Sequence, residues 1–135
     1  MIEKYQRITI VRSSKPTTSD INEHLQWFGT CVGLFSLRDK EKSNFRIFIE
    51  LLKAGKKNQD LSSDDLAEIL KLSRGTVVHH LNKLIEAGIV VSHRNRYELR
   101  VSKLSQLTEE IEKDTKRAFE DLKEVAQDLD RRLGL

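Results

Sequence analysis

The stretch Leu61 to Leu99, LSSDDLAEILKLSRGTVVHHLNKLIEAGIVVSHRNRYEL, constrains the fold more than any other part of the chain. Two helix patterns stand three residues apart in it and are followed at once by a hairpin pattern. Ser62 or Ser63 is available to cap the first helix, with Asp64 and Asp65 in a first turn whose dipole favours acids. Its apolar residues, Leu66, Ile69 and Leu70, recur at helical spacing. The pattern breaks at Lys71-Leu72, and Ser73 can cap a second helix from Arg74 to Ala87 that stops at Gly88, a residue suited to a left-handed terminus. Ile89, Val90 and Val91 then read as a strand, and Tyr97, Leu99 and Val101 alternate along a second one. Between them His93-Arg94-Asn95-Arg96 forms a turn in which Asn95 tolerates positive φ.

This order, with the residues L-S-R-G-T-V-V-H-H-L-N-K-L-I-E-A-G-I-V-V, resembles the winged helix-turn-helix DNA-binding family, in particular its ArsR-like and MarR-like transcriptional regulators. The resemblance runs from Phe45 to Val101. It implies a mainly α fold with a small β-hairpin wing, here carrying an N-terminal strand and helix extension and a long C-terminal helix. It also implies sequence-specific binding of double-stranded DNA for transcriptional control, with helix 74-87 in the major groove and wing 92-97 on the backbone or minor groove. On that basis Arg94 and Arg96 are expected to contact phosphate. ArsR-like metal sensors often carry paired cysteines on the helix before the reading helix; Asp64 to Leu70 contains none, which argues against that mode of sensing.

The residues of the second helix point the same way independently. At about 100° per residue, Val77, Leu81, Leu84 and Ile85 share one side. Gly75, Thr76, His79, Asn82, Lys83 and Glu86 lie opposite, with His80 and Val78 on the flanks. An ordinary solvated face mixes acids and bases, yet Arg74 to Lys83 contains no acid. That asymmetry suits a polyanion. The expected DNA-binding set is therefore Ser73, Arg74, Gly75, Thr76, His79, His80 and Lys83 on the helix, with Arg94 and Arg96 on the wing. Arginine can grip guanine through two donors, while Thr and His can meet base edges or phosphate. His79 and His80 are adjacent and diverge by about 100°, so they cannot chelate one ion from one helix face. No metal or other cofactor is expected, and no catalytic constellation aligns the dispersed His, Cys and acidic residues.

The charge distribution agrees. The net charge is only +3, but residues 36 to 101 hold 13 basic and 9 acidic side chains, whereas residues 102 to 135 hold 7 and 9. A basic middle and an acidic tail are the pattern of a nucleic-acid reader joined to an assembly element. No apolar run approaches the roughly 20 residues of a membrane span, and no signal-peptide pattern opens the chain, so a cytoplasmic location without membrane contact is expected. One cysteine, Cys31, permits no internal disulfide.

Three segments follow: an extension at 1-35, the winged domain at 36-101 and a C-terminal helix at 102-135. Arg7 to Val11 is a β-branched run expected to form a strand. A helix is expected from about 20 to 35, with Ile21, Leu25, Phe28, Val32 and Phe35 inward and with His24 and Cys31 packed on its flank. The first helix of the winged domain, about 44 to 54, carries a stripe of Phe45, Phe48, Ile49 and Leu52, expected against the helix-turn-helix core. A second stripe of Ile47, Leu51 and Ala54 needs another cover. After the wing, Leu104, Leu107, Ile111, Thr115, Ala118, Phe119, Leu122, Val125, Ala126, Leu129 and Leu133 fall on one line of a helix of about 30 residues, about 45 Å long. So long a stripe calls for a second surface, and a homodimer through residues 104-133 is expected, with the helix at 20-35 as a further candidate surface. The alternative function is a winged-helix protein-protein interaction module in a transcription or chromosome-organising assembly.

Overall fold

A computed structural model describes residues 5-36 and 38-135; the first four residues of the N-terminal extension lie outside that description. The elements run α1 (Ile21–Cys31), α2 (Ser43–Lys56), β1 (Leu61–Ser62), α3 (Ser63–Leu70), α4 (Arg74–Glu86), β2 (Val90–His93), β3 (Arg96–Leu99) and α5 (Leu104–Leu133). They divide into two compact units at Ser102 and Lys103. The first is a winged helix-turn-helix, mainly helical with a small antiparallel sheet of order β1-β3-β2.

The helix ends follow from local chemistry. Asp20 caps α1 by accepting from the Asn22 amide. The α2 N-terminus is capped from further back, where the Asp39 carboxylate accepts from the amides of Ser43 (2.9 Å) and Asn44 (3.0 Å). Ser62 and Asp65 form a reciprocal capping box on α3. The turn between α3 and α4 passes through Lys71 in the left-handed conformation, and Arg46 of α2 donates to the Leu70 carbonyl at 2.7 Å, meeting an acceptor that the end of α3 leaves open.

The core of this unit is built by Ile47, Phe48, Leu51 and Ala54 of α2, Leu66 and Leu70 of α3, Val77, Leu81 and Leu84 of α4, and Ile89, Val90 and Leu99 from the hairpin. The expected roles of the two α2 stripes are thereby exchanged. Ile47, Leu51 and Ala54 are buried, whereas Phe45, Ile49 and Leu52 are only half-buried. Phe45 stacks on Phe35 with ring centroids 4.8 Å apart, so that stripe is partly covered by the segment after α1. Phe48 serves both sides, since it is fully buried and also stacks on Phe28 of α1.

The N-terminal extension departs from expectation in three ways. Residues 7-11 are extended but join no sheet; Arg7 N–H donates to the Glu86 carbonyl and Val11 N–H to the Cys31 carbonyl. Helix α1 stops at Cys31 because Gly33 takes φ +79°. Ile21 is exposed, as is His24, whose Nε2 meets the Thr18 carbonyl at 2.8 Å; Cys31 is half-buried. In α3, Leu66 and Leu70 are buried, whereas Ile69, which shares their helical spacing, is about half exposed.

The second unit is α5, with the bounds its apolar stripe suggested. Leu107 and Ile111 in its early turns are buried. Further along, Phe119, Leu122, Val125, Leu129 and Leu133 are between 45% and 66% exposed, on one side of the helix. Gly134 ends it with φ +70°, and the amides of Gly134 and Leu135 return to the carbonyls of Arg131 and Asp130. Among the described residues no helix is long and apolar enough to cross a membrane.

Gly29 is the one buried residue of α1, and a Cβ there would lie 2.9 Å from Phe45 Cδ1 and 3.1 Å from Phe35 Cε2. Gly55 in α2 has open space around the same position. Gly55→Ala should therefore stabilise the protein by about 0.5 kcal/mol through helix propensity. Gly29→Ala should destabilise it by about 1 kcal/mol, as overpacking against two rings outweighs that gain. Urea denaturation followed by fluorescence of the single tryptophan, Trp27, reads both signs.

Candidate nucleic-acid interface

Helix α4 has one locked face and one open face. Val77, Leu81 and Leu84 are buried, while Arg74, Gly75, His79, Asn82 and Lys83 are exposed and Thr76 is half-exposed. Ser73 caps the helix, its Oγ accepting from the Thr76 amide at 3.1 Å and donating to Thr76 Oγ1 at 2.8 Å. The Thr76 hydroxyl proton is thus left to donate elsewhere. Gly75 has no atom within 4 Å of a would-be Cβ, so the fold itself does not require glycine there.

His80 does not share that face. It is buried, and its Nδ1–H donates to Asn44 Oδ1 at 2.8 Å. A flank position on a helical wheel turns inward when a polar partner waits behind it, and Asn44 at the start of α2 is that partner. Burial pushes the His80 pKa down, nearby Asp39 pushes it up, His79 and Lys83 push it down, and the net direction is below 6.5. Burial raises the pKa of Asp39, but the hydrogen bonds from Asn44 and Ser43 outweigh it, and His80 helps to hold the carboxyl below its ordinary value of 3.8. One polar cluster therefore joins the cap of α2 to the middle of α4.

The wing tip is a two-residue turn in which Arg94 (φ 51°) and Asn95 (φ 63°) are both left-handed, between β2 and β3, which pair from Val90↔Leu99 to His93↔Arg96. This is the backbone of a type I′ hairpin turn, where Asn and Gly are the favoured residues. Arg94 is exposed at the tip. Arg96 is committed to the fold instead. Its Nε donates to Asp60 Oδ1 at 2.8 Å, its Nη2 to the Asp60 carbonyl at 3.0 Å, and its Nη1 reaches Asp65 Oδ2 at 3.4 Å. The hydrogen bond to Asp60 raises its pKa further. Because β1 pairs with β3 through Ser62↔Arg96, this contact ties the wing to the start of α3. The two-residue strand β1 carries too little periodicity to be seen in the sequence.

Two further ion pairs flank α4. Glu86, the acid at its C-terminal end, is held by Arg7 at 3.0 Å, and Asp64 of α3 lies 3.4 Å from Arg74 Nε. Their partners are far apart in sequence or on different helices, so no local spacing announces them. No group of His, Cys, Asp and Glu suited to a metal ion occurs among the described residues.

Two outcomes follow from this geometry. A group whose folded pKa is lowered gives stability that is complete above its unfolded value and lost as pH falls. Stability should therefore decline as pH falls below 6.5, through the loss of neutral His80, and decline again below 3.8 as Asp39 protonates. Urea midpoints across that range, with His80→Gln abolishing the first step, check the assignment. At the wing, Arg94→Gly should raise stability by about 0.5 to 1 kcal/mol, since glycine removes the cost of a left-handed arginine. Thermal denaturation measures it.

Residues 49–92, from the middle of α2 into β2, match the model of the family described as bacterial regulatory protein, arsR family. No curated protein and no solved structure matches the chain. The matched segment holds α3, the turn, α4 and most of the first wing strand, the helix-turn-helix and the start of its wing. Over residues 49–92 the chain is therefore similar to ArsR-family regulators, and the fold that carries this likeness is a winged helix-turn-helix.

Proposed function

We propose that the protein binds double-stranded DNA sequence-specifically as a homodimer, with α4 in the major groove and the wing tip on the backbone or minor groove. One observation carries the reading: the open face of α4 from Arg74 to Lys83 presents cations and hydrogen-bond donors without an acid, while its opposite face is buried. Arg74, Thr76, His79 and Lys83 are the proposed contacts on the helix, with Ser73 and Gly75 at its start. Gly75 fits this role, because a position with open space gains nothing for the fold from lacking a Cβ but lets a sugar-phosphate backbone approach closely. On the wing, Arg94 is the proposed phosphate contact. Arg96 and His80 act behind the surface, holding the wing and α4 in place.

The proposed dimer forms through α5. Phe119, Leu122, Val125, Leu129 and Leu133 make an exposed apolar strip about 20 Å long, which an isolated helix would not keep in water. The exposure of Ile21 supports α1 as a second candidate surface. Two readers related by a twofold axis would address an inverted repeat with half-sites about 34 Å apart.

Selection from random duplex DNA should recover such a repeat. Affinity should fall steeply with salt, and Lys83→Ala and Arg94→Ala should each weaken binding on all sequences and reduce the salt slope by about one. Leu122→Glu with Leu129→Glu should convert a dimer, read by solution mass at about 10 μM, into a monomer with weakened affinity for the repeat. Failure to enrich any sequence would favour the protein-interaction module, and a monomeric wild type would remove the α5 dimer.

A further inference from the structure

We propose that Asp64 is a positioning residue for base recognition, holding Arg74 so that the outer edge of its guanidinium reads a guanine in the major groove. The inference rests on α4 being the reading helix. Asp64 lies in the first turn of α3 and Arg74 is the first residue of α4; Asp64 Oδ1 sits 3.4 Å from Arg74 Nε, and both side chains are largely exposed.

Stability does not account for Arg74. An exposed ion pair of this length adds little. A cation at the first position of a helix also faces the positive end of the helix dipole, where an acid would be preferred. What the pair does provide is orientation. Guanidinium is planar with donors in fixed directions, and a carboxylate at Nε leaves the edge formed by Nη1 and Nη2 turned away from it. That edge matches the two acceptors of guanine, O6 and N7. Thr76 extends the pattern, because its Oγ1 accepts from Ser73 and its own proton is available to an acceptor of the ligand.

The carboxylate has an opposite effect on affinity. Asp64 brings a negative charge close to a phosphate-rich ligand and so weakens binding to DNA of any sequence. By holding a side chain rich in rotamers before the ligand arrives, it lowers the ordering cost at the one base pair that accepts the held geometry. It also competes with phosphate for the Arg74 guanidinium. Asp64 thus exchanges general affinity for discrimination.

The test compares the full-length wild type with Asp64→Asn, Asp64→Glu and Arg74→Ala. Each is measured on the duplex recovered by selection, on that duplex with every other base pair at the position Arg74 dictates, and on random duplex. Arg74→Ala should lower the guanine preference at one position per half-site on the order of tenfold or more. Asp64→Asn should weaken the preference at that same position, raise affinity for random duplex and leave the thermal midpoint unchanged, and Asp64→Glu should restore part of the preference. An unchanged preference in Asp64→Asn, or a uniform loss on all sequences, overturns the role of Asp64 while leaving α4 as the reader. A wild type with no sequence preference at all overturns both.

Discussion

The burial of Val77, Leu81 and Leu84 along one side of α4 is the constraint on which the rest of the winged unit depends. A helix can offer a defined set of side chains to a ligand only if rotation about its own axis is prevented. Close packing of these residues among the side chains of α2 and α3 prevents it, since any rotation would expose apolar surface and open voids. The hydrogen bond from His80 to Asn44 adds a directional restraint that apolar packing lacks. The open face of α4 is thereby determined from behind.

Charged side chains of this unit fall into two roles that composition does not separate. Arg7, Arg46 and Arg96 serve the fold, meeting Glu86, the end of α3, and Asp60 with Asp65. Lys83 and Arg94 stand exposed on α4 and at the wing tip. Arg74 lies between these roles, exposed yet in contact with Asp64. A basic patch is thus not read from a count of cations: a guanidinium with two acids and a carbonyl around it projects little positive field, whereas one at a hairpin tip projects most of its charge.

The parts legible from the sequence were those with regular periods or caps. The two helices about the Lys71 turn, Ser73 as cap, the hairpin with Asn95 in its turn and the bounds of α5 all follow from spacing and residue type. What was missed depends on distant partners. Residues 7-11 have strand propensity, but the amides of Arg7 and Val11 meet the ends of α4 and α1, and among the described residues no strand pairs with them. His80 reads as a surface flank until Asn44 is placed beside it. Arg96 resembles Arg94, two residues away, yet β1 brings the start of α3 next to one of them only.

By itself the sequence determined the order of helices, the hairpin and the long apolar stripe of α5, because periodicity and capping act within a few residues along the chain. It also determined the absence of acids from Arg74 to Lys83. Tertiary structure alone decided which side of α2 is buried and which glycine is needed for close approach. It also decided which arginines are consumed by the fold and that Asp64 meets Arg74. Those outcomes rest on groups brought together from different elements, where a shift of a few ångströms separates an ion pair from an exposed charge.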